Sequence, residues 1–232
     1  MTLLLLFDID GTLLQKASVE HGWALREAAG AVHGVDVSGG VVDYAGRTDA
    51  AITRDLLTLE GVDGGAIDAR WEEVKTAAAE AYARLCPPDL SAHVAPGMVE
   101  LLDELAARPD EFRLSLVTGN LEPIARLKLG RAGVGRYFEA LRGGFGSDDE
   151  DRGRLPAIAR ARASDPPWER SRTVVIGDTP HDIACARVDE VRVAAVATGP
   201  FAITQLADAD AVVDDARALL PVLEDWAVTG PA

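Results

Sequence analysis

The feature that most constrains this chain is a recurring short run of apolar residues with no polar alternation. Leu3-Leu4-Leu5-Leu6-Phe7 is continuous and stops at Asp8. A strand with one solvated face would alternate polar and apolar residues, so a continuous run implies a strand buried on both faces. The same pattern returns at 114–117, 173–176, 191–196 and 211–213. Helical patterns separate these runs. Residues near 98–107 space Met98, Leu101, Leu102 and Leu105 along one face, and further helices are expected near 121–132, 153–163, 180–188, 202–207 and 215–226. Strand and helix alternating at this interval build parallel βαβ units. The expected fold class is α/β: a doubly wound parallel sheet with a Rossmann-like core.

Residues 16–94 break the rhythm. They read as purely helical, near 17–30, 48–60 and 66–85, with turns at Gly39-Gly40 and between Gly61 and Gly65. Cys86-Pro87-Pro88 stops the last of these helices, and Pro96-Gly97 marks the return of the strand–helix pattern. The expected organisation is a core of residues 1–15 and 95–232 with a small helical domain, residues 16–94, inserted after the first strand. The tail after about residue 227 is expected to fray.

Composition narrows the partners. A formal charge of −15 repels nucleic-acid backbones and anionic membranes, so neither is an expected partner. A phosphorylated substrate would then need a local cation. The basic residues are 20 Arg and 3 Lys, which carries no functional reading. Two cysteines, Cys86 and Cys185, are too few for a disulfide scaffold and are read as small buried apolar residues. The apolar start lacks a basic leader and ends at Asp8, too short for a signal peptide or a membrane span, and a cytoplasmic location is expected.

Ligands of open parallel sheets bind beyond the carboxyl ends of the strands, so the residues following each run matter most. Asp8-Ile9-Asp10-Gly11-Thr12 follows the first run. Acids spaced i, i+2 share a face if the strand continues, and their proximity calls for a compensating cation, for which Mg²⁺ suits an all-oxygen donor set. A plain surface turn is the alternative. After the run ending at Ile176 comes Gly177-Asp178-Thr179-Pro180-His181-Asp182. This again gathers two acids at the sheet edge, though Asp or Thr before Pro is also ordinary helix-start chemistry. Thr118-Gly119-Asn120 ends another run, and is either an anion site at a helix start or an ordinary turn.

Taken together, these three segments resemble the haloacid dehalogenase-like hydrolase superfamily over nearly the whole chain, and most of all its phosphoglycolate phosphatase-like group, with the helical insertion standing where that superfamily places a small cap. The resemblance implies a Mg²⁺-dependent phosphatase acting on a small phosphorylated metabolite. Asp8 would be the nucleophile that becomes an aspartyl phosphate, and Asp10 the general acid and base, its backbone carbonyl also helping to hold Mg²⁺. Asp178 would bind the metal directly, and Asp182 through water or by orienting Asp178. Thr118, Gly119 and Asn120 would hold the phosphoryl oxygens.

The superfamily pattern also wants a lysine near the start of the helix after the third core strand. The sequence there, Ser147-Asp148-Asp149-Glu150-Asp151-Arg152-Gly153-Arg154, has none. Arg152 is the expected replacement, because Leu155 and Ile158 then turn inward, with Arg154 as the alternative. Gly46-Arg47-Thr48-Asp49 resembles a stretch that faces the active site in related caps, which makes Arg47 the expected reader of the leaving group; a helix N-cap at Thr48 or Asp49 explains the same residues. His181 is read as solvent-facing, and Trp23, Trp71, Trp168 and Trp226 as packing residues.

Rival readings remain. A dehalogenase has no use for an acid at Asp10. A phosphonatase needs a Schiff-base lysine, and neither Lys16 nor Lys75 sits in a recognisable motif. A sugar phosphomutase needs the same core residues, and a catalytically silent binding protein has no need of Asp8, Asp10, Thr118, Asp178 and Asp182 together. The oligomeric state is not legible in the sequence.

Overall fold

A computed structural model describes residues 2–39, 41–140 and 142–229. Its centre is a six-stranded sheet in the order β3-β2-β1-β4-β5-β6, every neighbouring pair parallel. The strands are β1 (Leu3–Phe7), β2 (Phe112–Thr118), β3 (Gly144–Phe145), β4 (Thr173–Gly177), β5 (Arg192–Val196) and β6 (Ala211–Val213). Every residue of β1 and β4 is buried, as continuous apolar runs require. The chain order reverses beside β1, which pairs with β2 on one side and β4 on the other, and Phe7 lies opposite Ile176. That register sets the segments beginning at Asp8 and Gly177 side by side at the carboxyl edge, the crevice where such sheets bind ligands.

Helices α1 (Val19–His33), α2 (Asp49–Leu59), α3 (Gly64–Ala69) and α4 (Trp71–Leu85) lie between β1 and β2, followed by α5 (Met98–Ala106). Then come α6 (Glu122–Arg131), α7 (Leu155–Ala163), α8 (Pro180–Val188) and α9 (Leu219–Thr229). The sheet is packed on both faces. Leu4 and Leu6 face a cluster with Leu155, Ala159 and Ile183 from α7 and α8. Leu3, Leu5 and Phe7 face the other way, into a cluster that includes Leu102, Ile124 and Leu223 and continues without interruption to Leu25, Leu57 and Tyr82 of the inserted helices. The insertion therefore shares an apolar core with one face of the sheet.

Several expectations are corrected. The helix expected at 66–85 is two helices, because Arg70, at φ −117°, leaves helical geometry between α3 and α4. The helix expected at 202–207 is a single turn at Ile203–Gln205, a segment that buries only Leu206. Trp23 was expected to pack, but it is 56% exposed: α1 turns Ala24, Leu25, Ala28 and Ala29 inward, and Trp23 falls outside that stripe. The other three tryptophans pack against the core. α9 continues to Thr229, so the fraying expected after about residue 227 does not apply to 227–229. Gly40 of the expected Gly39-Gly40 turn, and residues 230–232, lie outside the described residues. Both cysteines are buried and unbridged. Among the described residues, no helix is long and apolar enough to cross a membrane.

Candidate active site

Asp8 and Asp10 follow β1, Thr118 ends β2, and Asp178 follows β4. Gly11 adopts φ +93°, which a side chain disfavours, and a Cβ there would lie 2.1 Å from Asp178 Oδ2. A Cβ on Gly199 would lie 1.7 Å from the same atom. Asp178 is thus reached by backbone from two sides.

Carboxylate oxygens of Asp8, Asp178 and Asp182 all lie within 4.8 Å of one another, and all three residues are buried. Asp178 Oδ1 accepts a hydrogen bond from Thr12 Oγ1 at 2.9 Å, while the buried Asp178 Oδ2 has no protein donor. An orphaned buried carboxylate oxygen beside two further carboxylates is the donor set of a hard divalent cation. In the protein alone, burial pushes Asp8 up to about 7, and Asp182 and Asp10 add to the effect while Arg152 opposes it. Burial also pushes Asp178 up to about 9, reinforced by Asp182 and Asp8. Both shifts express first the cost of burying a carboxylate and then that of gathering anions without a cation.

Asp182 belongs to two structures at once. Its Oδ2 accepts from the backbone N–H groups of Asp178 and Thr179, and from Thr179 Oγ1 at 2.7 Å. This is a capping box that starts α8, with Pro180 in the first turn. Its Oδ1 pairs with Arg152 Nη2, which is also 3.3 Å from Asp8 Oδ1. The helix-cap and cluster readings of this segment therefore hold together. Arg152 is buried, and its Nε has no partner. Arg154 is 68% exposed and pairs with Asp149 and Asp151, so of the two arginines only Arg152 is brought to the site.

Asp10 has different neighbours. Its carboxylate accepts two bonds from Lys128 Nζ, at 2.6 and 2.7 Å, and one from Asn120 Nδ2 at 2.9 Å. Burial alone would raise its pKa, but the Lys128 ammonium and these hydrogen bonds outweigh that and hold the carboxyl below the usual range. Thr118 is buried, and its Oγ1 accepts from Asn120 N–H at 3.4 Å. Gly119 is one of the places where the insertion touches the core: its carbonyl accepts from Asp49 N–H at 2.8 Å, and a Cβ on it would lie 2.0 Å from the Arg47 carbonyl oxygen.

A cavity of about 500 Å³ opens here, lined among others by Asp8, Asp10, Asn120, Arg152 and Asp178 from the core and by Lys16, Tyr44 and Arg47 from the insertion. Arg47 lines the cavity as its sequence context suggests, but its Nη1 is held by Asp55 at 2.6 Å. His181 is exposed. Lys128 and His21 carry no motif and were not singled out in the sequence; Asp49 was noted only as the end of the 46–49 stretch and as a candidate helix cap, not as a partner of His21. The only trace of Lys128 is a lysine four residues after Ile124, on the buried face of α6.

Residues 5–187 match the haloacid dehalogenase-like hydrolase family. The chain belongs to that family. No curated protein sequence matches it. Solved structures share its fold. A β-phosphoglucomutase from Clostridium difficile is 15% identical with a TM-score of 0.66, covering 98% of this chain and 97% of that one. CbbY from Rhodobacter sphaeroides, solved in complex with phosphate, is 21% identical with a TM-score of 0.62, covering 97% and 100%. A hydrolase from Pseudomonas syringae is 20% identical with a TM-score of 0.65, covering 97% and 99%. Family membership assigns this hydrolase a chemistry of hydrolysis or phosphoryl transfer, and an aspartate cluster stands at the carboxyl edge of its sheet.

Proposed function

We propose that this hydrolase is a Mg²⁺-dependent phosphatase that cleaves a small phosphomonoester through an aspartyl phosphate on Asp8, with residues 16–94 acting as a cap over the site. The observation that carries the reading is the division of labour between two carboxylates lining one cavity. Asp8 sits in an anion cluster with Arg152, and Asp10 is paired separately with Lys128. These surroundings separate the two carboxylates chemically: burial raises Asp8, which a bound cation would return to the ionised form a nucleophile needs, and Lys128 holds Asp10 below the usual range, as suits a group that ends the cycle as a base.

Asp8, Asp178 and Asp182, with the Asp10 backbone carbonyl, would hold Mg²⁺; the unpartnered Asp178 Oδ2 supports that assignment. When bound, the cation would neutralise the repulsion between Asp8 and a phosphate dianion. Asp10, a carboxylate at rest beside Lys128, must first take up a proton from solvent; an Asp8 oxygen then bonds to phosphorus as the ester P–O bond breaks, and the leaving alkoxide takes that proton from the Asp10 carboxyl. Asp10, now a carboxylate, then takes a proton from the water that attacks phosphorus. This releases phosphate and regenerates the Asp8 carboxylate. Arg152, with its free buried Nε, is suited to grip a phosphoryl oxygen. Thr118, Gly119 and Asn120 would complete the phosphoryl pocket, and Arg47 would meet the leaving group.

A turnover screen over many phosphomonoesters, run with Mg²⁺ and with chelator, tests the reading. Phosphate release that stops in chelator and resumes with Mg²⁺ supports it, and release unaffected by chelator refutes the metal assignment. A sugar phosphomutase would use the same residues; the fold shared with a β-phosphoglucomutase keeps it as the second reading. An absolute requirement for a sugar bisphosphate would favour that reading.

A further inference from the structure

Lys128 is a fully buried lysine outside the proposed metal cluster. It lies on α6, its side chain is 0% exposed, and it is absent from the lining of the cavity. A buried ammonium is costly unless all three of its N–H groups find acceptors. Here they do. One face of Nζ meets both Asp10 oxygens, and Asn120 Oδ1 lies at 3.1 Å. The remaining neighbour is His21 Nδ1, also at 3.1 Å.

That last contact fixes the orientation of the histidine. Two donors would repel, so Nδ1 accepts from Lys128 and the ring hydrogen sits on Nε2. Nε2 lies 2.9 Å from Asp49 Oδ2, which accepts it. Asp49 Oδ2 also accepts the backbone N–H of Leu121 at 2.7 Å. The ring of Tyr82 closes the same pocket, 5.9 Å from Nζ and edge-on to His21. His21, Asp49 and Tyr82 come from α1, α2 and α4 of the insertion, whereas Lys128, Asn120 and Asp10 belong to the core. A continuous chain, Asp49–His21–Lys128–Asp10, therefore crosses the boundary between them.

We infer that Lys128 is a positioning residue for Asp10, and that the inserted helices complete its setting through His21 and Asp49. Asp10 stands at the cavity wall, its side chain 26% exposed, with Lys128 directly behind it. Lys128 cannot reach substrate, so its contribution passes through the aim of the Asp10 carboxylate. The inserted helices do more than cover the cavity: they supply the third acceptor that lets a lysine stay buried behind the acid–base group. The inference rests on the proposed phosphatase reading.

The test separates the two ideas by leaving group. Lys128→Met keeps the side chain's length and removes its charge. The ratio kcat/KM reports the steps up to transfer of the phosphoryl group to Asp8. An alkyl phosphate needs a proton from Asp10 in those steps, while p-nitrophenyl phosphate leaves unaided. Misplacing a reacting group by about 1 Å can lower a rate about 10²-fold. The expected result is a loss of about that size in kcat/KM for the alkyl phosphate and at most a few-fold for the aryl phosphate. Adding Lys128→Met to Asp10→Asn should cost little more than Asp10→Asn alone, because both changes act on one group. His21→Phe, which keeps the packing against Tyr82, should give the same selectivity to a smaller degree and serves if Lys128→Met does not fold. Equal losses on both substrates, or full additivity with Asp10→Asn, would overturn the inference while leaving the phosphatase reading intact. Absence of turnover by the unaltered protein on either substrate would overturn the reading and the inference with it.

Discussion

The three-carboxylate cluster makes a quantitative statement about metal binding. Without a cation, burial lifts Asp8 to about 7 and Asp178 to about 9, so near neutral pH the cluster retains protons that an exposed carboxylate would have lost. A divalent cation binds the deprotonated oxygens and must displace them. Affinity for Mg²⁺ therefore rises with pH. Between about 7 and about 9, one proton held by the cluster is exchanged for the metal, and the association constant should climb about tenfold per pH unit, or ~1.4 kcal/mol. Below about 7 a second proton enters the cluster, and the dependence steepens toward a hundredfold per unit. The sign for stability is opposite in the metal-free protein. Its folded state holds protons that the unfolded chain would release, so stability contributed by these groups is present at low pH and is lost as pH rises toward about 9. Isothermal titration with Mg²⁺ across this range, in buffers of different ionisation enthalpy, gives both the affinity and the number of protons released. A Mg²⁺ affinity that is flat with pH, with no proton release, would refute the electrostatic description of the cluster.

Three further substitutions probe the cap contact, a buried ion pair and the leaving-group side of the cavity. Gly119→Ala should push the Arg47–Thr48 backbone away, since both neighbours it would strike are main chain; a loss of about 1–3 kcal/mol in chemical denaturation is expected, with KM raised as the loop shifts. Asp189→Ala should be more damaging, because it strands the buried Arg160 guanidinium that Asp189 grips at 2.7 Å through both oxygens; about 3–5 kcal/mol is expected, with no change in metal affinity. Arg47→Ala should raise KM for an anionic best substrate by about 10- to 150-fold and leave a generic aryl phosphate nearly unaffected; equal effects on both would remove Arg47 from leaving-group recognition.

Most of the sheet was legible because its inner strands are buried on both faces: β1, β2, β4 and β5 each coincide with an apolar run, and so does the edge strand β6, although Ala211–Val213 is only half-buried. β3 escaped because Gly144–Phe145 is two residues long and its pairing is set by β2, not by composition. The break at Arg70 escaped for a related reason, since no Gly or Pro marks it. The acids were legible because they follow strand ends, where topology gathers side chains. The partners behind Asp10 were not, because Lys128, His21 and Asp49 lie far apart in sequence and each sits inside an ordinary helix or at its start. Asp49, for example, is the first residue of α2 behind a Thr48 cap; its local 46–49 stretch pointed toward the site, but nothing local showed that its carboxylate takes the His21 ring hydrogen.

The central claim is that Asp8 takes the phosphoryl group. The most direct measurement is to mix the Mg²⁺-loaded protein with a turned-over phosphomonoester, quench in acid within the first turnover, and map the digested chain by mass spectrometry. The account predicts one phosphoryl group on the peptide containing Asp8, absent in Asp8→Asn, and longer-lived in Asp10→Asn because the base for its hydrolysis is gone. Turnover that proceeds at the normal rate in Asp8→Asn, or a phosphoryl group found on another residue, would contradict it.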